Sequence, residues 1–167
     1  MIRKAITSTF ILIFCLILQS TLLRYISFLE VIPNLYLIYL VYTSISNGGL
    51  HGTVCGFVSG FIEDAISISP LGFHALIKTI IASIYSSFKG LIILDRVVMP
   101  MIFILLATVL NRILASSIIS LFSLSVPLHS IFSKFFLIEI GYNIILTPVV
   151  FLIADGIKQR FSPRGYE

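Results

Sequence analysis

Charge is scarce in this chain. Lys, Arg, Asp and Glu together make up 11% of its 167 residues, roughly half the ~25% usual in a soluble domain. Long polar stretches are missing as well, which removes the usual places for a water-soluble catalytic or nucleic-acid-binding module. Cysteine is limited to Cys15 and Cys55, both inside apolar runs. They read as small buried hydrophobes, with neither a pair nor a metal-ligand spacing. Histidine is limited to His51, His74 and His129, in three different segments. Serine nucleophiles are therefore left without an adjacent base, and no His-x3-His zinc pattern exists. Gly56-Phe57-Val58-Ser59-Gly60 misses a Gly-x-Ser-x-Gly elbow by one position. No glycine loop runs into a lysine that would cradle phosphate. The chain is read as non-enzymatic, with no catalytic residue, no cofactor, no metal and no nucleic-acid partner.

What fills the sequence instead is hydrocarbon: 58% of residues are hydrophobic and the mean hydropathy is +1.11. That composition predicts an all-α polytopic membrane helix bundle in a single integral membrane domain over 1–167. Six transmembrane helices are expected at about 5–23, 31–47, 50–68, 71–94, 97–122 and 131–153, each about the 20 residues needed to cross a bilayer. The basic start Arg3-Lys4 before an apolar run resembles a signal peptide. No small-x-small cleavage site follows Leu18, so the first span is expected to be retained. Short connections carry the basic residues unevenly. Arg3, Lys4, Lys89, Arg96, Lys158, Arg160 and Arg164 fall on one side, Arg24 and Lys134 on the other. Both termini are thus expected in the cytoplasm.

From the turn before the third span into the span itself, Gly48, Gly52, Gly56 and Gly60 recur every four residues and lead to Asp64. That step aligns small residues along one ridge of a helix, where a second helix can approach almost to backbone contact. In water so many glycines would make a poor helix, at about 1 kcal/mol each relative to alanine; in membranes such ridges are common. The ridge is expected either to pack internally or to hold a partner. Glu63, Asp64, Lys78, Arg112 and Glu139 place ionisable groups within or near the apolar slab, where a charge at the helix centre costs about 2.5–3.5 kcal/mol and calls for a partner. Arg112 and Glu139 sit at matching depths in the fifth and sixth spans, and Asp64 and Lys78 flank the turn at Pro70, so both pairs are expected to meet. Their role is either a relay or a lock on helix register.

The residues also resemble a known family. Pro33-Asn34-Leu35 opens the second span; Gly52-x3-Gly56-Phe57-x2-Gly60-x3-Asp64 fills the third. Pro70-Leu71-Gly72-x2-Ala75-Leu76 follows, and Tyr142-Asn143-x4-Pro148 lies in the last span. Together, in this order and over essentially the whole length, they resemble the rod shape-determining protein MreD family. Asn34 departs from the aspartate that many members carry. The resemblance implies a multi-pass protein of the bacterial inner (plasma) membrane that serves the cell-wall elongation machinery. It would bind MreC, a single-span membrane protein, and act with MreB and a peptidoglycan-synthesising pair. Proteins of this family are similar in fold to the substrate-binding components of energy-coupling-factor vitamin transporters, so transport is the alternative. Those components show an alanine-x3-alanine ridge in their first span, and here Ala5 and Thr9 hold the nearest such spacing.

The basic asymmetry generates a topology test. Reporter fusions after Ile45 and after Asp95 should both report a cytoplasmic location, and a fusion after Val126 an external one. A cytoplasmic signal from the last would remove the sixth span.

Overall fold

The computed structural model describes residues 2–21, 31–67, 69–89, 97–122 and 134–161. These form six α-helices: α1 (Ile2–Thr21), α2 (Leu35–Asn47), α3 (Gly49–Ile66), α4 (Phe73–Ser86), α5 (Val98–Phe122) and α6 (Lys134–Phe161). An all-helical answer is what an apolar chain demands, since a helix satisfies its own backbone where water cannot. Two of them, α5 and α6 over Val98–Phe122 and Lys134–Lys158, are long and apolar enough to cross a membrane, with mean hydropathies of 2.1 and 2.0.

The middle of the bundle is α2. It packs against each of the other five helices, and every residue from Tyr36 to Ile45 is buried. Polar side chains within it turn back on the helix: Thr43 donates to the Leu40 carbonyl at 2.9 Å and Ser44 to the same oxygen at 2.8 Å. At its far end Tyr42 donates to Asp155 of α6 at 2.7 Å, and its ring meets Phe151 edge-on at 5.1 Å. The outer helices show the opposite pattern. Phe10 and Phe14 of α1, Phe57 and Phe61 of α3, and Leu152 and Ile153 of α6 all point away from the protein. An apolar exterior around a core with polar groups suits a lipid surround.

The glycine ridge fits α3 against α4, the most extensive pairing in the bundle. A methyl at Gly56 would come 2.7 Å from Ala82 Cβ and 2.7 Å from the Lys78 carbonyl oxygen; at Gly60 it would come 2.7 Å from Ala75 Cα. A methyl at Gly52 would run into the Ser86 hydroxyl and come 2.8 Å from Ser44 Cα of α2. Gly48 has a different task. With φ of +69° it forms, together with Gly49 at +54°, the tight reversal between α2 and α3.

Several expected boundaries shift. The second helix starts at Leu35 rather than 31, because the backbone around Pro33 leads into an Asn34 cap. The fourth stops at Ser86 rather than 94: the next two amides, of Ser87 and Phe88, fold back on the Ile84 and Tyr85 carbonyls at 3.1 Å. At 13 and 14 residues, α2 and α4 are each about 20 Å long, short of a ~30 Å hydrocarbon core. The sixth helix continues past Ile153 to Phe161 and passes through Pro148 without ending. Arg24, Arg96, Arg164 and the expected span ends at 22–23, 68, 90–94 and 131–133 lie outside the described residues.

Because the ridge is closed to a single methyl, Gly56→Leu should unfold the purified protein at a markedly lower temperature. Val54→Leu, on the exposed face of the same helix, should leave the midpoint nearly unchanged. Equal tolerance at both positions in a detergent melting experiment would refute the ridge.

Candidate functional site

Helices that start inside a bundle leave their first backbone N–H groups without intrahelical partners, and lipid supplies none. Both α2 and α4 start this way, at the end of the bundle where α3 stops. Their starts gather the polar residues into one region.

At α4 the local sequence offers no cap, since the N-cap is Gly72, at φ +96°, which has no side chain to give. Asp64, at the end of α3, reaches across the turn instead. Its Oδ2 accepts from Gly72 N at 2.9 Å and Ala75 N at 3.0 Å, and its Oδ1 accepts from His74 N at 2.8 Å. His74 Nδ1 donates to the same Oδ1 at 2.9 Å. Phe73 N and Leu76 N are met by the Pro70 and Gly72 carbonyls. The carboxylate is fully buried, yet it is surrounded by donors and lies at the positive end of the α4 dipole.

At α2 the cap is local but braced from afar. Asn34 Oδ1 accepts from Leu37 N at 3.0 Å, and Gln19 Oε1 of α1 accepts from Tyr36 N at 3.4 Å. The backbone N–H of Asn34 donates to Asn143 Oδ1 at 2.8 Å, while Asn143 Nδ2 donates to Thr108 Oγ1 of α5 at 3.1 Å. Asn143 is fully buried. One amide thereby ties the start of α2 to α5 and α6, with each half of the amide used in its proper sense.

Charges complete the region. Arg112 donates to Glu139 Oε2 at 2.8 Å and lies over the Phe136 ring at 4.9 Å, so α5 and α6 are joined. Asp64 and Lys78, in contrast, do not meet. Asp64 is turned to the start of α4, and Lys78, one turn further along, reaches Asn111 Oδ1 of α5 at 3.5 Å and the Tyr36 ring of α2 at 4.9 Å. Asp64 has no need of the lysine, since four N–H donors at 2.8–3.0 Å already occupy both carboxylate oxygens.

The remaining sequence candidates are placed as follows. Gly48 and Gly52 lie at the opposite end, Gly56 and Gly60 line the α3–α4 seam, and Pro33 is buried beside the α2 cap. Phe57 is 54% exposed and stacks on Phe61 at 6.3 Å on the outward face of α3. Pro70 sits in the exposed turn and Pro148 is half-buried on α6. Sequence reasoning missed Gln19, Tyr36, His74 and Thr108 as members of this region. One signal was available for His74: a helix beginning at a bare glycine in apolar sequence must borrow its cap, and the nearest carboxylate is Asp64.

A sequence model of the family described as rod shape-determining protein MreD matches residues 2–155 of the chain. No curated protein and no solved structure matches it.

The borrowed cap predicts a graded loss. Asp64→Ala leaves three backbone donors unmet and should cost about 3 kcal/mol or more of stability, whereas Asp64→Asn, which keeps one acceptor oxygen, should cost about half as much. Denaturant unfolding in detergent micelles measures both. An Asp64→Ala protein as stable as Ser67→Ala would show that the cap is dispensable.

Proposed function

The chain belongs to the rod shape-determining protein MreD family, and from that premise we propose that it is a non-enzymatic membrane scaffold of the bacterial cell-wall elongation machinery. In this reading it crosses the inner membrane six times with both termini in the cytoplasm, the short α2 and α4 being carried at membrane depth by the four longer helices. It maintains rod shape by binding the transmembrane helix of MreC, and through it works with MreB and the peptidoglycan-synthesising pair.

The observation that carries the proposal is the family match over residues 2–155. The way the bundle uses its own groups supports the finer reading. The small-residue ridge that could have held a foreign helix is filled by α4, and Asp64, Asn143 and Arg112 are spent on internal contacts. What remains for a partner is the outward apolar surface. On α3 it is a stripe at helical spacing, Leu50, Val54, Phe57 and Phe61, each exposed by about half or more. A single-span helix meets such a surface by packing alone, with no polar group to match.

Depletion in the native bacterium should alter cell width or elongation, and the purified protein should retain the MreC transmembrane helix in mild detergent. Intact shape on depletion, with a vitamin-sized ligand and an ATPase module copurifying, would replace the scaffold with the transport reading.

A further inference from the structure

Helix α6 is fastened differently on the two sides of Pro148. Before it, Glu139 is paired with Arg112 of α5 at 2.8 Å, and Asn143 is bonded both to Thr108 of α5 and to the start of α2. Beyond it, polar and ring contacts run to the far end of α2: Phe151 meets the Tyr42 ring edge-on at 5.1 Å, Asp155 accepts from the Tyr42 hydroxyl at 2.7 Å, and Lys158 donates to Ser46. The backbone ladder between the two halves is weakened at successive positions. Pro148 has no N–H to offer the Ile144 carbonyl, and its ring crowds the preceding turn. Thr147, fully buried, turns its hydroxyl back on the Asn143 carbonyl at 2.5 Å, a bond that competes with the backbone and tends to bend helices.

One flank of this segment is open. Around α2 the other helices follow as a ring, α1 packed on α3, α3 on α4, α4 on α5 and α5 on α6, but α6 and α1 do not pack on each other among the described residues. Leu152 and Ile153 point outward, and a Cβ at Gly156 would meet nothing within 4 Å. We propose that α6 beyond Pro148 is a hinged strap over the end of α2, latched by the Tyr42 to Asp155 and Lys158 to Ser46 hydrogen bonds. Closed, it buries the Tyr42 ring; open, it uncovers that end of a helix otherwise buried along its length. This goes beyond the scaffold reading and does not depend on it.

The two sets of contacts differ in how easily they part. Asn143 and Thr108 are sealed inside the bundle, where a broken hydrogen bond finds no substitute. Asp155 is half-buried and Lys158 exposed, so the latch lies where other donors and acceptors can replace it. Leverage favours the latch as the part that yields. Proline kinks commonly exceed about 20°, and Gly156, eight residues past the hinge at about 1.5 Å each, would move by about 4 Å for a change of that size. Asp155, one residue nearer, would move almost as far, more than its bond to Tyr42 can stretch.

The test is a spin-label distance measurement by pulsed electron spin resonance on the full chain in lipid nanodiscs, with Cys15 and Cys55 replaced by alanine. One label pair, Leu50→Cys with Gly156→Cys, spans the strap and the start of α3; a control pair, Ile66→Cys with Leu137→Cys, spans α3 and the half of α6 before the hinge. All four positions are exposed. The strap pair should show a second population displaced by about 4 Å or more, and the control pair a single one. Tyr42→Phe, which removes the latch, should enlarge the second population, and Pro148→Ala, which restores the missing N–H, should remove most of it. Should Pro148→Ala fail to fold, Thr147→Val, which removes the other weakening, is measured in its place. A strap pair as narrow as the control both with and without Tyr42→Phe overturns the proposal. So does a second population that the hinge substitution leaves unchanged, or one that the control pair shares.

Discussion

Backbone hydrogen bonding in the absence of water is the constraint from which the rest of this structure follows. A chain this apolar has to satisfy its peptide groups within itself, and a helix does so everywhere but at its ends. Long helices carry their ends out to the ends of the bundle. The short ones, α2 and α4, cannot, and the protein brings acceptors to them: Asn34 and Gln19 for α2, Asp64 for α4. The polar residues of an otherwise hydrocarbon-like sequence are concentrated where that deficit occurs.

The glycine ridge and the Asp64 cap act as one device. For the carboxylate at the end of α3 to reach three amides at the start of α4, the two helices must run close together along the seam, and Gly56 and Gly60 permit that approach down to 2.7 Å for a notional methyl. Conversely, the cap fixes the sliding register that keeps each glycine opposite a small residue or backbone, Ala82 for Gly56 and Ala75 for Gly60. A shift of one turn along α4 would move both relations by about 5.4 Å. Neither feature works without the other, and Gly72, in a left-handed conformation, supplies the turn that lets them coincide.

How much of this was legible in the residues depends on the kind of signal. The apolar periods, the ridge at Gly52, Gly56 and Gly60, and the depth match of Arg112 with Glu139 are local or one-dimensional patterns, and a single sequence displays them. The fate of Asp64 was not, because its place beside the Pro70 turn pointed to Lys78, and only the uncapped start of α4 turns it elsewhere. Asn143 stood out as part of a family motif, yet its use depends on three helices meeting, Asn34 and Thr108 lying 109 and 35 positions away. Helix ends were the least readable. The stop of α4 at Ser86 rests on a tightened turn of backbone bonds that leaves the hydropathy profile unbroken, since Leu91 to Leu94 continue it.

Asn34 shows how a departure from the family pattern can preserve its physics. Many members resembling this chain carry aspartate there, and an aspartate N-cap would add a favourable charge to the start of α2. What the position uses here is an acceptor: Oδ1 receives the Leu37 N–H, and the backbone amide donates to Asn143. Asparagine provides that oxygen and ranks with aspartate as a cap. It does so without placing a further carboxylate at the start of α2, where Tyr36 already lies within electrostatic reach of both Glu63 and Asp64. In a bundle where each buried charge needs a counterpart, the neutral cap retains the hydrogen bond and avoids one more unpaired anion.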